Sequence, residues 1–188
     1  MPILSQYARG KKIDFFLDGL SKEAKILEVG SGSGWLGKSL RENGWSNYVG
    51  LDTDRGTEIT GDIRNWRNLQ IEPEEFDVVI AFEVVEHINC FQELYDVLKP
   101  GGRLMLTSPV PHMDWACKIL EFFGLNQKRT SPHDQLIYFK DIPLFEPIKV
   151  KNVAFIGQWG IFRKPHKSPP CSSQKQTDFQ SFPRESRR

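Results

Sequence analysis

The chain has 188 residues, 39% of them hydrophobic and 26% charged, with a net charge of +1. That length suits one domain with a single core, and that composition belongs to a soluble globular protein, not a fibrous or disordered one. No apolar run approaches the length of a membrane span, and the opening M-P-I-L-S-Q-Y-A-R-G lacks the basic start and apolar core of a secretory signal, so a cytoplasmic location is expected. Residues 163–188 hold seven Lys or Arg against Asp178 and Glu185, a balance of +5 that leaves −4 for residues 1–162. A mildly acidic body gives no support for a nucleic-acid-binding face. Cys90, Cys117 and Cys171 are odd in number and widely spaced, and His87, His112, His133 and His166 lack ligand spacing, so neither a disulfide framework nor a metal site is expected.

Residues 3–20 read as a helix, with Ile13, Phe16, Leu17 and Leu20 on one side and Gly19 and Ser21 at its end. Two roles stay open for it: a lid over a bound ligand, or a helix packed on the sheet edge. Arg9, Lys11 and Lys12 are correspondingly either surface charge or contacts for a ligand carboxylate. The stretch from Lys25 to Gly34, K-I-L-E-V-G-S-G-S-G, starts as a short buried strand and breaks into three glycines spaced two apart. Without Cβ atoms the turn bends sharply and lets a ligand approach the main chain. Trp35–Gly44 then reads as a helix with Leu36 and Leu40 on one face, which puts the ligand at a helix N-terminus.

A dinucleotide fingerprint needs its third glycine where this chain has Trp35, too bulky for close helix-to-strand packing. The pattern Glu28-x-Gly30-x-Gly32-x-Gly34 instead resembles the first motif of class I S-adenosyl-L-methionine (SAM) methyltransferases, an acidic residue followed by glycines at this spacing. The resemblance implies a SAM cofactor and contacts to it from Glu28, Gly30, Ser31, Gly32, Gly34 and Trp35.

Ser46–Asp52 reads as the second strand, ending in a carboxylate 22 positions after Gly30. Two neighbouring ribose hydroxyls match one bidentate acceptor, so Asp52 is the strongest ligand candidate, with Thr53 beside it. The alternative is that Asp52 only caps the turn Thr53-Asp54-Arg55-Gly56. Nine residues between Asp52 and Asp62 are too few for a crossover helix and a strand, so the second crossover helix is expected to shrink to a loop, leaving Glu58–Thr60 as a minimal strand. Gly61-Asp62-Ile63 resembles the family's third motif, which implies an adenine contact from Asp62 and an apolar cover from Ile63.

Phe76–Ala81 is a buried strand, and F-D-V-V-I-A-F-E-V-V-E-H-I resembles the fourth motif of the methyltransferase subgroup called type 11. Phe82 and Glu83 are expected at the carboxyl end of that central strand, beside the cofactor. Val84, Ile88, Phe91, Leu94 and Leu98 mark one helical face, ended by Lys99-Pro100-Gly101-Gly102, and Arg103–Ser108 is the fifth strand. Asp114–Phe123 reads as a helix and residues 124–135 as a polar loop. In family members this region forms the acceptor wall, which makes His112, His133, Asp134 and Tyr138 candidates for substrate contact. Lys149–Phe155 and Gly157–Phe162 are expected as closing antiparallel strands, with Pro143 and Pro147 leaving no room for a regular fifth helix. From Lys164 the composition turns to Pro, Ser, Gln and basic residues, so residues 164–188 are expected to be a disordered tail behind a domain of residues 1–163.

The expected fold is therefore α/β: a doubly wound, mostly parallel Rossmann-like sheet of the class I methyltransferase kind, with a reduced second crossover helix and a shortened C-terminal end. The expected activity is methyl transfer from SAM to a small-molecule, lipid or sugar acceptor. A general base is needed only if the acceptor loses a proton; His87 is the first candidate and His133 the second, with loop orientation the plainer role for His87. The N/D-P-P-Y/F motif of amino-directed DNA methyltransferases is absent after the fourth strand, as is the Pro-Cys of cytosine C5 enzymes. Two alternatives stay open, a non-catalytic SAM-binding or interaction module and, disfavoured by Trp35, a nicotinamide-dependent oxidoreductase.

Overall fold

A computed structural model of the protein describes residues 3–111, 137–153 and 157–166. Its elements in chain order are α1 (Ile3–Phe16), β1 (Ile26–Val29), α2 (Trp35–Glu42), β2 (Tyr48–Asp52), β3 (Ile59–Thr60), β4 (Phe76–Phe82), α3 (Phe91–Val97), β5 (Leu98–Pro109), β6 (Glu146–Val153) and β7 (Gly157–Arg163). Among the described residues, the 3-10 helices Ile63–Leu69 and Phe139–Asp141 fill connections.

The strands form one sheet in the order β3-β2-β1-β4-β5-β7-β6, parallel except at β7, which runs antiparallel to both neighbours. β1 and β4 are buried on both faces, as near-continuous Ile, Leu and Val runs require. The strand order reverses between them, so the crevice for a ligand lies outside their carboxyl ends. One face of the sheet packs Phe16, Leu36, Leu40 and Trp159 under α1 and α2. The other packs Ile63, Trp66, Leu94 and Phe139 beside α3.

The reduced crossover is present: residues 53–58 form turns and bends, and β3 pairs with β2 over Leu51↔Ile59 and Asp52↔Thr60. The closing strands pair antiparallel, and β6 starts earlier than expected, at Glu146. Pro147 is accommodated because β6 is an edge strand and its register shifts between Pro147 and Lys149.

Three expectations need correction. The first helix ends at Phe16, short of Leu20, and the chain turns through Gly19 at φ 67°. The helix expected to carry Val84 through Leu98 on one face is confined to Phe91–Val97. Glu83 takes φ 58° and residues 83–87 turn, which stops a helix from starting, while Leu98 already belongs to β5. Lys164, placed at the head of the tail, is 3% exposed. Its Nζ donates to the carbonyls of Tyr95 (2.9 Å) and Leu98 (2.7 Å) and to Glu74 Oε1 (3.1 Å). Its backbone also bonds to Gly101 and Gly102, so the folded unit runs past Arg163. The helix expected over Asp114–Phe123, the loop of residues 124–135 and residues 167–188 of the expected tail lie outside the described residues.

Candidate cofactor and acceptor site

The loop leaving β1 takes its shape from its glycines. Gly30, Gly32 and Gly34 have φ of 74°, 49° and 67°, in the left-handed region that L side chains avoid. At Gly30 a Cβ would also stand 2.6 Å from Cγ2 of Val84, so the turn after β4 closes directly on this position. The Gly30 and Ser31 amides donate to the Leu51 carbonyl at 2.8 and 3.2 Å, tying the loop to β2. Gly34 is the N-cap of α2, where no side chain caps the helix, and the partly buried Trp35 is its first residue.

Asp52 faces this loop. Its Oδ2 accepts from the Gly32 amide at 2.7 Å, and its Oδ1 accepts from the Asp54 amide at 3.0 Å and from the exposed Thr53 hydroxyl at 3.5 Å. One carboxylate thus both caps its own turn and grips the glycine loop. Its two oxygens offer about four lone-pair sites, so capacity remains for ligand hydroxyls. The donor set and the space left by the missing Cβ atoms fit an adenosyl group approaching the main chain.

Asp62 is differently employed. It caps the 3-10 helix by accepting from the Arg64 amide at 2.9 Å, and Arg64 Nε and Nη2 bind the same carboxylate at 3.0 and 2.5 Å. Hydrogen bonding to Arg64 holds the Asp62 carboxyl below the ordinary carboxylate range. Ile63 is 1% exposed and packs in the core, with no open face to offer a ring.

At the carboxyl end of β4, Glu83 Oε1 accepts from the Thr107 hydroxyl at 2.6 Å and lies 3.5 Å from Lys12 Nζ. Lys12 also donates to Thr107 Oγ1 at 3.3 Å and stands 5.0 Å from the Phe82 ring centre. α1 is therefore both a packed helix, through Phe15 and Phe16, and a strap that delivers Lys12 to the crevice. A groove of about 530 Å³ runs between α1 and α2 past Arg9, Ile13, Ser33, Gly34, Trp35 and Lys38.

Glu86 is a residue that the sequence pattern does not single out. It is 1% exposed, and its Oε2 has no hydrogen-bond partner among the described residues. Burial and the neighbouring Glu83 charge push its carboxyl up to about 9. Burial also acts to raise the half-exposed Glu83, but Lys12 and Thr107 outweigh it and hold Glu83 below its ordinary value. At neutral pH the pair thus holds one proton, on Glu86. The signal was present as a second Glu three places after the first, but a continuous helix puts Glu86 off the apolar face, where no role suggests itself.

Tyr48 carries no sequence signal of its own either. Its hydroxyl donates to Oε2 of Glu28, which is 3% exposed beneath the glycine loop. Burial pushes the Glu28 carboxyl up to about 7, against the Tyr48 hydrogen bond that lowers it. Ser31, 4% exposed, has an Oγ with no partner among the described residues.

His87 is partly buried in the turn after β4, where its amide donates to the Val84 carbonyl at 2.9 Å. Tyr138 is 39% exposed ahead of the 3-10 helix Phe139–Asp141. His112, His133 and Asp134 lie outside the described residues. Among the described residues no cluster of His, Cys, Asp and Glu could hold a metal ion, and no helix is long and apolar enough to cross a membrane.

A seven-stranded sheet with a single antiparallel strand, a glycine loop at its reversal point and an acid at the end of the adjacent strand define a Rossmann-like, class I methyltransferase fold. A solved phosphoethanolamine N-methyltransferase 2 from Haemonchus contortus, in complex with S-adenosyl-L-methionine, shares it with a TM-score of 0.60 at 14% identity, over 83% of this chain and 52% of that one. The chain belongs to the methyltransferase domain family, which it matches over residues 4–151 and whose class I members use SAM. It is 34% identical over 105 residues to the mitochondrial ubiquinone biosynthesis O-methyltransferase of Rattus norvegicus, covering 45% of this chain and 30% of that protein. It is 28% identical over 119 residues to the tRNA (carboxymethyluridine(34)-5-O)-methyltransferase of Arabidopsis thaliana, covering 55% of this chain and 28% of that protein. The chain thus spans about a third of the length of these curated relatives.

Proposed function

We propose that this chain transfers a methyl group from SAM to a small-molecule, lipid or sugar acceptor. The observation that carries the reading is the Asp52 carboxylate bonded to the Gly32 amide, which couples a sugar-binding acid to a loop that has no Cβ atoms at its glycines. On this reading Gly30, Ser31, Gly32, Gly34 and Trp35 border the cofactor from the loop, Asp52 and Thr53 take its ribose, and Glu28 supplies negative charge beneath it. Phe82 and Glu83 border it from β4. Asp62 reaches the adenine only by sharing a carboxylate that Arg64 already holds.

The bound cofactor supplies a methyl carbon already activated by its sulfonium, so no covalent nucleophile is required of the protein. What the chain contributes is position and dryness: the loop and Asp52 fix one reactant, and α1 with Lys12 closes the crevice over the other. If the acceptor is a hydroxyl, its proton needs a receiver. Glu83 is ionised, half exposed and at the strand end, which suits it to that role, and His87 in the following turn is the alternative.

A SAM-binding module without transfer is the second reading, favoured by the engagement of Lys12 with Glu83, which occupies both groups on the acceptor side. Titration calorimetry with SAM and its demethylated product tests binding, and formation of that product with a panel of phenolic, lipid and sugar acceptors, and with tRNA, tests transfer. Absence of binding heat at millimolar SAM refutes both readings. Turnover on tRNA alone replaces the proposed acceptor class.

A further inference from the structure

The residues beneath the glycine loop form a polar cluster built around one tyrosine. Tyr48 is 6% exposed in β2, and its ring lies where two glycines make space. A Cβ at Gly37 in α2 would stand 2.6 Å from the ring Cζ, and a Cβ at Gly50 would stand 2.9 Å from the hydroxyl. Through this gap the hydroxyl reaches Glu28, which pairs with Gly50 in the strand register. An aromatic that needed only apolar burial would not require two glycines and a carboxylate at its tip.

The cluster extends outward. Glu58 Oε2 accepts from the Gly50 amide at 3.0 Å, its other oxygen pairs with Arg41, and the Arg41 guanidinium lies 4.9 Å from the centre of the Tyr48 ring. The charged groups acting on Glu28 are thus Glu58 beside β3 and Asp52 at the end of β2, which oppose its ionisation, and Lys12 from α1, which favours it. Among the described residues, Tyr48 supplies the side-chain hydrogen bond that this carboxylate accepts.

We propose that Tyr48 is a positioning residue for the cofactor: by donating to Glu28 it holds that carboxylate ionised and oriented beneath the glycine loop, where it attracts the cationic centres of the ligand. The proposal rests on the reading that the loop binds SAM. It makes affinity depend on the charge of Glu28, which burial brings to the edge of ionisation near neutrality. SAM then binds more tightly as pH rises through about 7. Removing the hydroxyl moves that transition to higher pH, and a transition moved by one pH unit is about a tenfold change in the ionisation equilibrium.

The test is the dissociation constant of SAM for the wild-type chain and for Tyr48→Phe, measured by calorimetry from about pH 5.5 to 9.5, a range that brackets the Glu28 transition. The ratio of the two constants cancels the titration of SAM itself. It is expected to peak at about fivefold or more just above neutral pH and to fall toward one at both ends of the range. In a Glu28→Gln background the same Phe substitution should be silent with pH. A ratio that stays constant with pH, or stays at one, overturns the proposal while leaving SAM binding in place; a wild-type chain that binds no SAM overturns the functional reading and the proposal together. Should Tyr48→Phe not fold, Glu28→Gln alone decides: the ratio of its dissociation constant to that of the wild type, which again cancels the titration of SAM, must rise with pH through about 7, and a ratio independent of pH overturns the proposal.

Discussion

The Asp52 carboxylate lies 2.7 Å from the Gly32 amide, so the last residue of β2 holds the middle of the loop that leaves β1. The parallel register, with Val29 opposite Leu51, brings the two strands to the crevice side by side and makes this contact unavoidable. A ligand seated on the loop therefore meets a carboxylate already oriented by the backbone it binds.

Asp52→Asn keeps an oxygen for the Gly32 amide but loses the charge and the second equivalent acceptor. Hydrogen bonds to charged groups contribute about 1.5–3 kcal/mol, so SAM affinity should fall roughly tenfold to a hundredfold. The melting temperature should change little, since Asp52 is only partly buried. Calorimetry and thermal unfolding on one preparation check both; equal affinity in the two proteins would remove Asp52 from the site.

Gly30 and Gly34 share a left-handed backbone but differ in space. An alanine at Gly34 meets nothing within 4 Å and should cost about 1–2 kcal/mol of backbone strain alone. At Gly30 the new methyl collides with Val84, adding about 1–3 kcal/mol of overpacking. Gly30→Ala should therefore melt several degrees below Gly34→Ala. Identical melting points would show that the Val84 turn yields freely.

Much of this arrangement was legible in the chain. The glycine spacing and Asp52 specify their own geometry, because a left-handed turn needs glycine and a strand-end acid needs only the right interval. The short link from Asp52 to Asp62 was readable from its length. The stretch from Glu83 to Cys90 was not, since its apolar spacing imitates a helix while Glu83 takes the left-handed conformation and buries Glu86. Tyr48 and Lys164 were opaque for a related reason: each is defined by partners distant in sequence, Glu28 for one and Tyr95 and Leu98 for the other. Periodicity reports which face is buried, not which polar atom waits there.

Glu86 should make the fold less stable as pH rises. Its folded value of about 9 lies above the ordinary 4.5, so between these limits the unfolded chain is ionised while the native carboxyl keeps its proton. The native state then binds more protons, and stability falls with pH by up to about 1.4 kcal/mol per pH unit. Below pH 4.5 the effect vanishes. Glu28 contributes in the same direction over the narrower range up to about 7. Glu86→Gln isolates the first contribution: its stability gain over wild type should grow steadily from about pH 5 to about pH 8 in urea unfolding. A gain independent of pH would mean that Glu86 is ionised in the folded protein.

Lys164 tests where the folded unit ends. Its ammonium is buried between the Tyr95 and Leu98 carbonyls, with Glu74 as its ion-pair partner, at the end of the sheet opposite the crevice. Lys164→Met keeps the apolar stem but removes the charged donor from the Tyr95 and Leu98 carbonyls, of which Tyr95 keeps the Leu98 amide, and it removes the ion pair with Glu74, a loss of about 2–4 kcal/mol. For a chain of this size that corresponds to a drop on the order of 10 °C in melting temperature. The dissociation constant for SAM should stay within about twofold, because no described contact of Lys164 reaches the glycine loop or Asp52. A variant that melts like wild type would return Lys164 to the tail, and one that loses SAM binding without losing stability would place it in the site.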